Sequence, residues 1–438
     1  MHEGAVVDTE REYKVGQLTR VEGEGSLHLT IDGEGAVTAQ LRIFEAPRYF
    51  ERIVVGRHPD EVLDIVARIC GICPVAYQMS AVHAFESLFG VEIDPNVRLL
   101  RRLLYCGEWI ESHALHVFML HAPDFLGYAS ALEMAVDHRQ LVERALRLKK
   151  LGNRIVAIVG GRAIHPVSVK VGGFSRAPTA RELEELRAPL ADALAEAVES
   201  VALVAGLDTP PSDRDVRLVS LRHPTEYPMN EGRIVSSDGI DVPIGSWRDA
   251  FEEVQVPWSH ALQARADDGV PYLLGPTARL ALAADQLHPA AAAALRATGL
   301  TPDQIARNVF RSIVARSVEL VHALAEAADI LDGYSRPQTP AEPWTPRPGV
   351  AAWATEAPRG LLFHRYEVDE GGHVTAAQIV PPTSQNQAAI EHDLAIFAPA
   401  VVDLPHDEAT RRLEQLIRSY DPCISCATHF LRLSVERP

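Results

Sequence analysis

Apolar positions recur at helical spacing through most of this chain, and strand-like alternation is confined to shorter stretches. Residues 15–44 predict strands: VTAQLRIFEA alternates in part, and Gly33 and Gly35 suit a turn before it. Residues 60–90 have a helical pattern, interrupted at Cys70-Gly71-Ile72-Cys73. Further helices are expected over 97–121, over 138–160 (ending at Gly160-Gly161) and over 179–206. The pattern breaks into short strands and turns from 215 to 257, then returns to helix over 277–297 and 301–333. Five prolines between 335 and 349 mark a surface loop. Two strand-like runs, LLFHRYEVD and HVTAAQIV, flank Glu370-Gly371-Gly372 as a hairpin, and a last helix spans 408–420. The expected class is mainly α with small β elements, an α+β protein with a long central helix bundle and strands towards both ends. No internal repeat is evident, and residues 1–438 are expected to form one domain.

Composition narrows the function classes. With 438 residues and 47% hydrophobic content, the chain can bury a large core. A formal net charge of −17 argues against partners that present phosphate, whether nucleic acid or an acidic membrane face, and is read simply as solubility. No run of eighteen or more apolar residues predicts a membrane-spanning helix. The opening residues, MHEGAVVDTEREYKVG, lack the apolar stretch of an export signal. Unpaired thiols suit a reducing compartment, so a cytoplasmic location is expected.

The candidate chemistry lies in cysteine. Four of the five cysteines stand in two C-x-x-C pairs, Cys70/Cys73 and Cys423/Cys426, about 350 residues apart. Each pair aims two sulfurs at a common point, and two pairs can hold a soft transition metal. Structural zinc is one reading, although zinc ribbons place their pairs only ~15–20 residues apart. A redox dithiol would need one pair, and five cysteines in this length are too sparse for a disulfide framework. Cys106, inside the 97–121 helix, reads as a small buried side chain. His113, His116 and His121 lie on the same helix; they are expected to be core or supporting residues rather than ligands. The segment GGRAIHPVSVKVGG is glycine-rich but matches no phosphate-binding loop, and its His165 is expected to be structural.

The flanks of the two pairs are more specific. Arg68-Ile69-Cys70-Gly71-Ile72-Cys73-Pro74 and Asp421-Pro422-Cys423-Ile424-Ser425-Cys426-Ala427-Thr428-His429 together resemble the paired signatures of nickel–iron hydrogenase large subunits, in the same order and at the same ends. Intermediate blocks extend the resemblance over most of the chain. It implies the large-subunit fold and a nickel–iron centre. Cys70 and Cys423 would be terminal nickel ligands, and Cys73 and Cys426 would bridge to an iron carrying carbon monoxide and cyanide. Thr19-Arg20-Val21-Glu22-Gly23 resembles the family block whose glutamate relays protons, which makes Glu22 the relay. Glu51, nineteen residues before Cys70, would join the backbone carbonyl of Gln378 and the imidazole of His429 around magnesium or a similar hard cation. Arg359, in Pro358-Arg359-Gly360, would overhang the open side of the metals. Pro381, Pro382 and Thr383 would shape the pocket and hydrogen-bond the diatomic ligands, and Asp421 would orient it together with Arg359. On the residues alone, Glu22 also fits an exposed acidic hairpin and Arg359 a pinned loop, while for Glu51 a surface position at a helix start is the better reading.

The activity implied is reversible heterolytic cleavage of H2, with the proton passing to Cys423 and then Glu22. Electrons must leave, and Cys106 alone is too little for an iron–sulfur cluster. The resemblance therefore implies a small subunit carrying iron–sulfur clusters. The Cys-Pro-Val-Ala-Tyr and Pro-Pro-Thr-Ser-Gln-Asn wording is similar to the cytoplasmic, bidirectional, cofactor-coupled (group 3-like) branch. That branch implies a flavin-bearing diaphorase module serving NAD(P). Nickel chaperones and a maturation protease are implied as well; the protease would cut after His429 and remove 430–438 as a processing tail. Two positions depart from the family pattern: Tyr77 stands where many members have histidine, and Ser112 where an aspartate is expected. The rival readings are a zinc-stabilised scaffold, a metal-free respiratory-complex subunit of the same fold, and a membrane-bound energy-converting hydrogenase.

Overall fold

The computed structural model describes residues 11–428. Five long helices build the core: α1 (Pro74–Phe89), α2 (Pro95–Ala114), α3 (Arg139–Gly160), α4 (Arg187–Ala205) and α5 (Ser312–Gly333). α2 packs between α3 and α5, and α5 also carries α4 on its flank. Local chemistry sets their ends. α1 begins at Pro74, whose missing amide hydrogen costs nothing in a first turn, and stops at Gly90 in the left-handed region (φ 68°). α2 is capped by Asp94, which accepts from the Asn96 amide. Where α2 crosses α3, Gly107 faces Gly152; a Cβ on Gly152 would fall 2.5 Å from the Gly107 carbonyl oxygen. α1 and α5 are buried on nearly every face, as befits helices inside a large protein.

Small sheets flank this bundle. Near the N-terminus, strands Arg11–Val15, Gly25–Ile31 and Val37–Ile43 pair antiparallel in that order. Leu27 and Leu29 alternate inward against a second core that includes residues of α6 (Pro382–Phe397) and α7 (His406–Ser419). The region from 217 to 273 forms a four-stranded sheet and a hairpin. Gly349–Ala357, Gly360–Val368 and Val374–Val380 form an antiparallel meander packed on α1. The α+β architecture and the helix bundle match the sequence expectation. Among the described residues, no helix is long and apolar enough to cross a membrane.

Several elements differ from the expected pattern; the expected 277–297 helix, for one, divides into Pro276–Ala283 and Pro289–Ala297. The 97–121 helix is α-helical only to Ala114 and continues as a π-helix, Leu115–His121. The 301–333 helix is interrupted at Asn308, whose side chain caps the Phe310 amide before α5 starts. Gly349–Ala357 is a strand that the alanine-rich GVAAWATEA did not announce, because its apolar residues do not alternate. His429 and the expected tail 430–438 lie outside the described residues.

Candidate metal centre

The two cysteine pairs converge. The sulfurs of Cys70, Cys73, Cys423 and Cys426 lie within 4.8 Å of one another, and all four residues are buried. Cys70 Sγ is 3.6 Å from Cys423 Sγ, and Cys73 Sγ is 4.0 Å from Cys426 Sγ. Backbone amides of Ile72 and Cys73 point at Cys70 Sγ, both at 3.3 Å. These bonds come from the turn that a C-x-x-C spacing forces. Hydrogen bonds, first from Cys423 and then from Cys426, hold the Cys70 thiol well below its ordinary range; the bonds to Cys426 and Cys70 push Cys423 well above it. A metal bound by all four sulfurs would take them as thiolates and so displace the proton that the raised Cys423 thiol holds.

The N-terminal loop brings Glu22 to this cluster. Its Oε2 accepts from Cys423 Sγ at 3.1 Å and from the Ser425 amide at 3.0 Å. The Ile424 amide donates to the Glu22 carbonyl at 2.9 Å, so the two segments run side by side as a parallel bridge. Flanking residues fix the loop. Arg20, at φ 55°, donates to the Leu120 carbonyl and pairs with Asp124, and Arg418 pairs with the same aspartate. Glu414 accepts from the Thr19 amide at 2.8 Å. Gly23 has φ 88°, and a Cβ there would lie 2.7 Å from Glu45 Oε2 and 2.8 Å from the Ser425 nitrogen. Only glycine fits between Glu22 and the second cysteine pair.

Arg359 enters from a two-residue hairpin turn, Pro358-Arg359, between Ala357 and Gly360. Though it sits in a turn, it is only 3% exposed. Its Nε donates to the Asp421 carbonyl at 2.7 Å and its Nη2 to Asp421 Oδ1 at 3.0 Å. Burial works against its charge, but Asp421 and then the Cys423 sulfur hold its pKa well above the usual value, so it remains a cation. Asp421 is itself in the left-handed region (φ 53°), the conformation that turns α7 into the second cysteine pair. Behind the turn, Arg279 donates to the carbonyls of Ala357 and Pro358 at 2.9 and 3.1 Å and pairs with Glu319 and Glu356 at 2.7 and 2.8 Å. Thr383 Oγ1 accepts from the Cys423 amide at 2.9 Å, while Pro381 and Pro382 start α6 beside it.

Glu51 and Gln378 meet differently. Glu51 Oε1 accepts from the Ile379 amide at 2.8 Å, and the Gln378 side chain donates to Glu253 at 2.8 Å. The Gln378 carbonyl shares a trans peptide with the Ile379 amide and so points to the opposite edge of the strand, towards its partner Arg365. The oxygen on Glu51's side is the carbonyl of Ile379. None of the three histidines joins the cluster; His116 and His121 hold the approach to the second pair, and His113 pairs with α5. His116 Nε2 donates to the Arg418 carbonyl at 2.7 Å, His121 Nε2 lies 3.2 Å from Ser419 Oγ, and His113 Nε2 lies 3.0 Å from Glu319.

Several residues of this neighbourhood escaped the sequence reading: Arg279, Glu319, Glu356, Arg316 and Glu108. A signal existed for Arg279, a lone cation in the otherwise apolar PTARLALA, and for Glu319 inside the apolar face of α5. The donor set suits a soft transition-metal centre with small polar ligands. Besides four sulfurs, the buried Arg359 Nη1, Asp421 Oδ2 and Tyr77 Oη have no hydrogen-bond partner among the described residues.

Comparison with known proteins agrees. The model of the family described as nickel-dependent hydrogenase matches residues 48–144 and 265–429. The alpha chain of sulfhydrogenase 1 from Pyrococcus furiosus is 33% identical over 424 residues, covering 96% of this chain and 98% of that one. A chain of the vhc F420-non-reducing hydrogenase from Methanococcus voltae is 29% identical, covering 94% of each. Among solved structures, an NAD+-reducing [NiFe]-hydrogenase in the H2-reduced state superposes with a TM-score of 0.87 at 27% identity, covering 96% of this chain and 99% of that one. The Ni-Fe-Se hydrogenase of Desulfovibrio vulgaris Hildenborough, at 23% identity and TM-score 0.79, shares the fold. With its family signature spread over both cysteine pairs and 96% of its length aligned to a hydrogenase subunit, this chain belongs to the nickel-dependent hydrogenase family as a large subunit.

Proposed function

We propose that Cys70, Cys73, Cys423 and Cys426 would hold a nickel–iron pair, with Cys70 and Cys423 as the terminal thiolates and Cys73 and Cys426 as the shared ones, and that the protein catalyses reversible heterolytic cleavage of H2. The convergence of four sulfurs with Glu22 against Cys423 carries this reading. A metal pair held there, with carbon monoxide and cyanide on iron, supplies the Lewis acidity that polarises H2. Cys423 Sγ receives the proton, and the Glu22 carboxylate, already in hydrogen-bond contact with that sulfur, takes it onward. Glu22 is half-buried, so it joins the closed centre to the surface. Arg359, kept charged by Asp421, presents a free N–H to whatever occupies the pocket, and Thr383 ties the Cys423 backbone in place. Pro358, Pro381 and Pro382 shape the walls.

A hard cation such as magnesium belongs at Glu51, with His429 as its nitrogen ligand. Its carbonyl ligand is assigned to Ile379 rather than Gln378, on the strand geometry described above. Electrons leave near the first pair, where Gly71 is exposed and Ile72 half-buried, to a small subunit bearing iron–sulfur clusters. The likeness to an NAD+-reducing enzyme supports a flavin-bearing diaphorase beyond it, serving NAD(P) in the cytoplasm. Maturation would use nickel chaperones and a protease acting after His429, leaving one domain without 430–438. The test is purification with partner subunits, followed by metal analysis and infrared spectroscopy. Nickel and iron in equal amounts with cyanide and carbonyl bands are expected; zinc alone would return the chain to the scaffold reading.

A further inference from the structure

The helix that follows the first cysteine pair is capped by a residue from elsewhere in the chain. Pro74 has no amide hydrogen, so Val75 and Ala76 carry the first amides of α1 that need an acceptor. Cys73 occupies the position from which a side chain normally caps a helix, yet it caps nothing. Its sulfur faces Cys426 instead. Both amides are taken by one side chain of α2: Glu108 accepts from the Val75 nitrogen at 2.6 Å and from the Ala76 nitrogen at 3.2 Å. Glu108 is 1% exposed, and no other protein donor reaches its oxygens among the described residues. Its place is closely set, because the residue before it, Gly107, is packed against Gly152 of α3.

We propose that Glu108 is a positioning residue for the metal centre: by capping α1 from the side, it fixes the turn that aims Cys73 and Cys70 and leaves the Cys73 sulfur free for metal. An ordinary capping residue at 73 could not do both. A carboxyl group is needed because only it offers two acceptor oxygens to two adjacent amides; a carboxamide offers one.

The inference rests on the four-cysteine centre, and its test separates it from the identity of the metals. Glu108→Ala and Glu108→Gln are made in the full complex with its partner subunits. Hydrogen exchange by mass spectrometry on peptides spanning 70–79 reads the cap directly, with or without metal. Exchange is expected to quicken at both Val75 and Ala76 in the alanine variant and at one of them in the glutamine variant. Metal affinity should fall about 10- to 100-fold in Glu108→Ala, the usual cost of losing a group that orients a ligand, and recover in large part with glutamine. The infrared bands of the iron's diatomic ligands should shift in the order alanine, glutamine, parent, whereas mere loss of stability would lower the yield and leave the bands in place. Unchanged exchange at Val75 and Ala76 in the alanine variant would overturn the proposal, as would unshifted bands in both variants. If the protein proves to hold zinc, the exchange and affinity measurements still decide the role of Glu108 while the proposed activity alone fails.

Discussion

Cys423 shows how much of the chain one side chain can gather. Its amide is held by Thr383, its sulfur meets Glu22 and Cys70, and its neighbour Asp421 carries Arg359. Glu22→Gln keeps an acceptor for the Ser425 amide but removes the proposed proton carrier. Nickel and iron content should stay at the parent level, while exchange of H2 with solvent deuterium drops about 100-fold or more. Parent-level exchange would remove Glu22 from the relay. Glu319 offers a pH test. Burial alone would raise its pKa, but the Arg279 guanidinium overcomes burial and pulls the carboxyl down to about 2 from an ordinary 4.5. A folded pKa below the unfolded one gives stability that is present above about 4.5 and lost as the pH falls towards 2. Urea midpoints recorded from neutral to acid pH should fall across that window, and Glu319→Gln should flatten the acid limb while lowering the neutral value. That each C-x-x-C pair aims two sulfurs at a common point was legible from its spacing, because that turn is local. The role of Arg279 was not, since its partners Glu319, Glu356 and Pro358 lie far along the chain.

The long helices were visible in the sequence to within a few residues, because a helix with one face to the core repeats its apolar positions on a fixed period. Their junctions were less visible. The π-helical stretch Leu115–His121 has the same apolar spacing as the α-helix before it, and its wider turn places His116 and His121 against the end of α7. The strand Gly349–Ala357 was missed for the opposite reason: both of its faces are largely covered, so burial leaves no alternation. Arg359 depends on that strand, since the turn that presents it joins Gly349–Ala357 to Gly360–Val368. The contact of α2 with α3 makes a prediction of its own. Gly152→Ala puts a methyl 2.5 Å from the Gly107 oxygen and 2.6 Å from the Glu111 nitrogen, both backbone atoms that cannot swing aside. Thermal or urea unfolding should show a loss of about 1–3 kcal/mol, and hydrogen exchange should quicken in both helices. A neutral substitution would mean that the two helices part without cost.

Over the whole molecule, the metal centre joins segments about 350 residues apart, beside the place where the loop before Gly25–Ile31 meets the segment after α7. A bound metal therefore cross-links the two ends of the fold. Stripping it under reducing conditions should lower the unfolding midpoint and speed exchange in 70–73 and 421–428 together, while α3 and α4 stay protected. Equal loosening of all helices would show that the centre supports the whole core. Read alone, the chain specifies its helices, its thiolate donors and, through the motif flanks, its family, because each is written within a few neighbouring residues. Folding alone brings Glu22 to Cys423, puts Ile379 rather than Gln378 beside Glu51, and lends Glu108 to the first turn of α1. Those contacts join residues from about 30 to 400 positions apart, and hydrogen bonds across such separations leave no periodic trace in a single sequence.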